Sequence, residues 1–488
     1  MPDPRPNIIL IITDQQRYDT IGALGFPHVD TPNLDRLVRE GVSFSHCFIN
    51  APSCGPARAS LFTGYSPHNH GAQRNNDPWP RTWVESLRDS GYHCVNIGKM
   101  HADPYGGRHG FHERQVVENK QRRAAEVQWA GNRHVFNDEL DKALWARGHT
   151  RLEKDYFRTL PEFETSLGAY DWHLEDDLHP DFFVGDLALR WLAQAPPMDD
   201  EPLFLQIGFP GPHPPYDPIR RYVEPYMDRD LPVLPVTQEE MDAQPEAVKA
   251  LRDTHVRRDA DSVAFRPDAP MSRRHRQRAY YLANMTMIDE KVGQILDALE
   301  DRGQLHNSVV IFTSDHGDCL GDHGLSQKWN MYDASVRVPL IFWSPGRFEG
   351  GRTIDSLQQL FDAGPTILEL AGIEPPEGFE AVSLLPDLEG RENPSPREYV
   401  YSEHARDTVN EGVEFEMMIR SKEWKLVEFF DPSGGQLFDL VNDPDELNDL
   451  WNDPAHDAIR QQLREIMHTW FVTSATRAAG WRNEPRYG

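Results

Sequence analysis

Five consecutive apolar residues, Ile8 to Ile12, follow Asn7 and give way to Thr13 and Asp14. A short apolar run without polar alternation predicts a strand buried on both faces. Val95–Gly98, Pro202–Phe209, Ser308–Ser314 and Pro339–Trp343 carry a similar signature. Elsewhere the period changes. Tyr281, Met285, Ile288, Val292, Ile295 and Leu299 recur at three- and four-residue steps, which predicts an amphipathic helix over Gln277–Arg302 with Gly303 as its stop. Asn33–Glu40, set between Thr31-Pro32 and Gly41, reads as a short helix. Apolar strands alternating with helices predict an α/β fold, a large and mostly parallel sheet sandwiched by helices. Ligands of such sheets bind beyond the carboxyl ends of the strands. Asp14, Lys99, His213, Asp315 and His316 all fall at or just after such ends.

The pattern weakens in three stretches. Residues 105–180 are rich in Arg, Glu, Asp, His and Trp and show little strand character. They read as an insertion, at the mouth of a site, at a homo-oligomer contact or on the solvated surface. Residues 210–275 read as long loops with short helices. Pro, Glu and Gly gather from Pro375 to Pro396 as in a linker. Beyond it, strands at Tyr399–Ser402, Glu416–Arg420, Lys425–Phe430 and Gln436–Leu440, then a helix over His456–Trp470, predict a small α+β domain. The expected division is a catalytic domain over residues 1–385 and a smaller C-terminal domain over 386–488.

Composition narrows the function classes. A chain of 488 residues with 39% hydrophobic content can bury both domains. Its formal charge of −28 excludes nucleic acid as the main partner, because phosphate backbones demand a basic face. An anionic small ligand would need a local cluster of cations. No apolar run is long enough to span a bilayer. Ile8–Ile12 also lacks the basic flank and small-residue cleavage site of a signal peptide, so the expected location is cytoplasmic, with no membrane partner. Cys47, Cys54, Cys94 and Cys319 show neither metal-site nor disulfide-framework spacing, as suits thiols in a reducing compartment.

Cys54 stands out by its context, Cys54-Gly55-Pro56-Ala57-Arg58-Ala59-Ser60-Leu61-Phe62-Thr63-Gly64. Pro56 suits the first turn of a helix, and Gly64 can end it. Cys54 would then lie just before the helix N-terminus, where free N–H groups and the dipole favour negative charge. Arg58, one turn on, can point back to the same place. This run resembles the signature of the formylglycine-dependent sulfatases, members of the alkaline phosphatase-like superfamily. Gly91-Tyr92-His93-Cys94-Val95-Asn96-Ile97-Gly98-Lys99-Met100-His101 resembles their second signature, with Cys94 where Ser or Thr is usual. Gln436–Leu440 followed by Asp443-Pro444-Asp445-Glu446 is similar to their C-terminal domain. The resemblance runs from Asn7 to about Leu450.

The resemblance implies a sulfatase that cleaves sulfate monoesters, with Cys54 oxidised to formylglycine by a formylglycine-generating enzyme and the aldehyde hydrate as nucleophile. It implies a single divalent cation held by Asp14, Gln15, the modified Cys54, Asp315 and His316. Oxygen-rich ligands favour Ca²⁺, and the one imidazole makes Mn²⁺ the alternative. It assigns Arg58 and Lys99 to charge stabilisation, His101 to general-base work, His213 and Lys328 to the ester oxygens and the leaving alcohol, and Asn75 to substrate binding. Gln15 and His316 depart from many sulfatases, which carry Asp and Asn there, and resemble phosphonate monoester hydrolases and choline sulfatases. A phosphonate monoester hydrolase or phosphodiesterase is therefore the second reading. A scaffold that keeps the fold without activity is the third.

Overall fold

The computed structural model describes residues 5–121, 125–129, 132–195, 201–376, 378–393 and 396–478. The strands in chain order are β1 (Asn7–Asp14), β2 (Val42–Phe48), β3 (His93–Gly98), β4 (Glu113–Val116), β5 (Ala125–Trp129), β6 (Asn132–Phe136), β7 (Leu203–Pro212), β8 (Ser308–Ser314), β9 (Arg337–Trp343), β10 (Arg352–Gln359), β11 (Val400–Ala405), β12 (Phe415–Arg420), β13 (Trp424–Phe430) and β14 (Gly434–Asp439). Eight of them form one sheet in the order β10-β2-β9-β8-β1-β7-β3-β4. Only β9 runs against its neighbours β2 and β8. β1 lies between two parallel partners, with Ile8 beside Phe204 and Val309.

Side-chain alternation along β1 feeds two separate cores. Ile8, Leu10 and Ile12 pack with Leu61, Phe62 and Ile311 on one face. Ile9 and Ile11 pack with Tyr281, Met285, Ile288, Val292 and Ile295 of the Met271–Asp301 helix on the other. The unbroken apolar run is thus the mark of a strand covered on both sides.

Several elements differ from the sequence reading. β4 lies inside the stretch taken as an insertion, yet it is the edge strand of the main sheet, parallel to β3. Its residues Glu113-Arg114-Gln115-Val116 carry almost no apolar signal because an edge strand buries little. The antiparallel pair β5–β6 and a helix over Glu139–Ala146 also lie there. β2, β10 and the helix over Pro180–Gln194 were not anticipated. The long helix begins at Met271, its polar first turns hiding the start. Within the supposed linker, Ala381, Leu384 and Leu388 are buried.

β11 to β14 form an antiparallel sheet in chain order. Met417, Ile419, Leu426 and Leu437 pack against Leu463 and Met467 of the Asp457–Arg477 helix. From the opposite face, Met418, Val427, Phe429 and Phe438 join the core of the large sheet. A buried ionic clamp fixes this contact. Asp333 receives Arg420 Nη2 at 3.1 Å and Lys425 Nζ, and its own N–H donates to Glu446 at 2.6 Å.

Burial alone would raise the Asp333 carboxyl, but Arg420 and Lys425 outweigh it and hold it far below the ordinary carboxylate range. With its folded-state pKa depressed, its stabilisation is complete above the unfolded value and is lost as the pH falls through the folded one. Asp333→Asn is expected to cost about 3–5 kcal/mol at neutral pH, because it takes the carboxylate from buried Arg420 and leaves Lys425 with Glu446 alone. Urea melts of both proteins at pH 7 measure this. An unchanged midpoint at pH 7 would remove the clamp from the account of stability.

Candidate active site

The carboxyl ends of the central strands converge on the first turn of the Cys54–Thr63 helix. That helix starts at Cys54, with Ser53 as its N-cap in an extended conformation. Cys54 is therefore inside the first turn, not before it, and Pro56 lies two residues further on. Gly64 ends the helix at φ 76°, its N–H donating to the Ser60 carbonyl at 2.8 Å. The N–H of Gly55 donates to Asn75 Oδ1 at 2.8 Å, so Asn75 serves the helix end. Gly55 permits this approach, since a Cβ there would meet the same oxygen at 2.8 Å.

Asp14, Cys54, Asp315 and His316 are all buried and offer ligand atoms within 4.8 Å of one another. His316 Nε2 is 3.1 Å from Cys54 Sγ and 3.6 Å from one oxygen of each aspartate. Its Nδ1 meets the Gly317 carbonyl at 2.9 Å, which assigns the ring hydrogen to Nδ1 and leaves the Nε2 lone pair facing the cluster. Burial pushes this imidazole down to about 4, so it is neutral at pH 7.

The outer oxygens of both carboxylates are held by cations. Lys99 Nζ donates to Asp14 Oδ2, and Arg58 Nε donates to Asp315 Oδ2 at 2.7 Å. Burial pushes Asp14 up, but the charges of Lys99 and Lys328 outweigh it and hold it well below the ordinary range. The inner oxygens and the imidazole nitrogen thus share one focus. Two carboxylates and a neutral imidazole are a donor set that fits a hard divalent cation.

Gln15 stands beside this set at φ 72°. Its N–H donates to Asp315 Oδ1 at 3.0 Å, its Oε1 accepts from Lys328 Nζ at 2.7 Å, and its Nε2 donates to Asp318 at 2.7 Å. Lys328 Nζ is also 3.2 Å from Cys54 Sγ. Burial and Asp14 push the Cys54 thiol up to about 12, against the pull of Lys328 and Lys99. The unmodified thiol is therefore uncharged at neutral pH.

His213 and His101 flank the cluster. The His213 N–H donates to the Asp14 carbonyl at 3.1 Å, and its Nδ1 meets the Pro214 carbonyl at 2.7 Å. Burial and then Lys328 push this imidazole well below its ordinary value. His101, at φ 59°, is pushed the same way by burial and then Lys99. Its buried Nδ1 has no hydrogen-bond partner among the described residues. A neutral imidazole with a free nitrogen is a ready proton acceptor.

Two neighbours escaped the sequence reading. Asn119 Oδ1 accepts from Lys99 Nζ, and Glu118 accepts the His101 N–H at 3.0 Å. Both follow β4. Had Glu113–Val116 been recognised as a parallel strand, its carboxyl end would have marked Glu118 and Asn119.

Fold and site together define a hydrolase of the alkaline phosphatase-like type, with a cation-lined pocket for an anionic ester. The sulfatase family pattern matches residues 6–373, and the pattern described as the C-terminal part of N-sulphoglucosamine sulphohydrolase matches residues 321–471. An arylsulfatase of Clostridium perfringens is 31% identical, with 95% of this chain and 94% of that protein covered. A choline-sulfatase of Rhizobium meliloti is 30% identical, with 93% and 84% covered. Among solved structures, the phosphonate monoester hydrolase of Agrobacterium radiobacter matches with a TM-score of 0.80 and 25% identity, covering 96% of each chain. This chain belongs to the sulfatase family.

Proposed function

We propose that the protein hydrolyses sulfate monoesters to an alcohol and inorganic sulfate, with Cys54 converted to formylglycine by a formylglycine-generating enzyme. One observation carries this reading: Cys54 Sγ lies 3.1 Å from His316 Nε2 and 3.2 Å from Lys328 Nζ, at the focus of the buried donors. The thiol is held in its protonated state, which suits a precursor better than a thiolate nucleophile. The hydrated aldehyde would supply a nucleophilic oxygen and a second hydroxyl for releasing the adduct, neither of which a thiol offers. Asp14, Gln15, Asp315, His316 and the modified Cys54 would hold one divalent cation, whose chemistry is to lower the pKa of a bound hydroxyl and neutralise ester charge. Calcium fits the oxygen-rich set best, with manganese as the alternative.

The remaining residues act on charge and protons. Lys99, His213 and Lys328 oppose the charge that builds on the equatorial oxygens, and Arg58, which holds Asp315, favours the ionised oxygen of the nucleophile. Lys328 carries its proton in the free site, since burial, which lowers it, is outweighed by carboxylate charge, Asp14 foremost. An anionic ester beside His213 favours its protonated form. Either can then protonate the leaving alcohol. His101 accepts the proton from the second hydroxyl as sulfate leaves. Asn75 supports the nucleophile through Gly55.

The second reading, a phosphonate monoester hydrolase, is favoured by Gln15 and His316 and by the likeness to the Agrobacterium radiobacter enzyme. The test compares kcat/KM for 4-nitrophenyl sulfate and 4-nitrophenyl phenylphosphonate in one preparation, after mass spectrometry of the Cys54 peptide confirms conversion. Sulfate is expected to be faster by about 10-fold or more. Faster phosphonate hydrolysis would overturn the assignment.

A further inference from the structure

His213 follows β7, and the chain around it is tied at three points to one buried ammonium group, directly or through a carboxylate. Lys120 Nζ donates to Asp217 at 2.8 Å and to the Pro215 carbonyl at 3.3 Å. It also lies 3.7 Å from one oxygen of Asp181, whose other oxygen accepts the Gly211 N–H at 2.6 Å. Gly211 on one side of His213, and Pro215 and Asp217 on the other, thus converge on Lys120.

The cluster is closed to solvent. The Lys120 side chain is 1% exposed, and those of Asp181 and Asp217 are 0% and 5% exposed. Asn284 Oδ1 also accepts from Lys120 at 3.2 Å. Burial raises the Asp217 carboxyl, but Lys120 foremost outweighs it and holds it below its ordinary value. The adjoining cavity, about 10 Å³, leaves no room for a ligand that would account for the charge. Burying an ammonium and two carboxylates carries a desolvation cost that an apolar cluster would not. What these groups add is direction, because charged hydrogen bonds fix the geometry of the atoms they join.

The same segment serves two further site residues. Glu118 accepts the His101 N–H at 3.0 Å, and Asn119 Oδ1 accepts from Lys99 Nζ. Lys120 comes next, so three consecutive residues reach His101, Lys99 and the His213 loop. An in-line displacement sets the leaving oxygen across sulfur from the nucleophile. Lys328 Nζ is 3.2 Å from Cys54 Sγ, on the nucleophile side, which leaves His213 for the leaving side. An acid there is effective only if its nitrogen is held within hydrogen-bond reach of that oxygen.

We infer that Lys120 is a positioning residue for His213: through Asp217, Pro215 and Asp181 it holds the loop that sets the imidazole against the leaving oxygen. This inference rests on the sulfatase reading and on His213, not Lys328, being the acid.

The test compares kcat/KM for 4-nitrophenyl sulfate and phenyl sulfate in matured full-length wild type, Lys120→Met, His213→Ala and the double variant Lys120→Met/Asp217→Asn. 4-Nitrophenolate is a weak enough base to leave without a proton, whereas phenolate gains from one. The two esters share a ring and a sulfate, so a general loosening of the site would slow both alike. Lys120→Met is expected to lose about 10- to 100-fold on phenyl sulfate and less than about 3-fold on 4-nitrophenyl sulfate. His213→Ala should show the same uneven loss, at least as large. The double variant removes one of the carboxylates that Lys120→Met leaves without its cation, should repeat the pattern, and carries the test if the single variant does not fold. Equal losses of Lys120→Met on both esters, or no loss on either, overturn the inference, as does failure of both Lys120 variants to fold, which would give Lys120 to the fold alone. Equal losses of His213→Ala overturn it while leaving the sulfatase reading intact. A wild type that hydrolyses neither ester overturns the sulfatase reading, and the inference with it.

Discussion

Cys54→Ala is expected to lower kcat/KM for 4-nitrophenyl sulfate by about 10⁴-fold or more while leaving the thermal midpoint nearly unchanged. The midpoint should hold because the helix is fixed by the rest of Cys54–Thr63, every residue of which is buried, and by the Asn75 contact at Gly55. The rate should fall because the donors around Cys54 act through an atom at its position. Cys54→Ser is the sharper variant. It keeps an oxygen in the pocket beside Lys328 and His316 but has only one hydroxyl. A sulfated serine would have no second hydroxyl for release, so at most one turnover is expected. The checks are steady-state rates, mass spectrometry of the peptide and a melting curve on each protein. Sustained turnover by unmodified Cys54→Ser would overturn the aldehyde scheme.

What could be read from the chain alone followed burial. Ile8–Ile12 announces a strand covered on both faces because nothing polar interrupts it, and the polar residue that ends it, Asp14, falls at the carboxyl end. Ser308–Ser314 and Asp315 repeat the logic. The same logic failed for β2, whose Ser43, Ser45 and His46 break the run, and for β4, an edge strand of mostly polar residues. The second failure hid Glu118 and Asn119.

Long-range pairing was illegible for a different reason. Asp333 and Lys425 lie 92 positions apart, and each alone reads as a surface charge. Asp261 is similar: its approach to His213 is not visible in the Asp259-Ala260-Asp261 spacing. The candidate ligands at strand ends were legible because a parallel sheet gathers such ends. The partners that orient them come from loops and had no pattern to announce them.

Asp315→Asn is expected to have the second largest effect, and on two observables at once. Asp315 accepts from Arg58 Nε at 2.7 Å and from the Gln15 N–H at 3.0 Å, and it contributes to the donor cluster. Asparagine keeps the shape and removes the charge. Arg58, wholly buried, then loses its ionic partner, which costs about 3–5 kcal/mol of stability. The proposed cation-binding set loses one of its two carboxylates, and kcat/KM should fall by about 10²- to 10³-fold or more. Elemental analysis after exhaustive dialysis, calorimetry and rates on 4-nitrophenyl sulfate separate these effects. Chelation of the wild-type protein gives the contrast. Lys99 and Arg58 already oppose the charges of Asp14 and Asp315, so the fold does not depend on a cation to hold these carboxylates together. Chelation should therefore abolish activity while lowering stability only by the binding linkage, about 3–4 kcal/mol at 100–1,000 times Kd. If Asp315→Asn kept a stoichiometric divalent ion and a wild-type rate, Asp315 would be no ligand, and its bond to Arg58 would be structural alone.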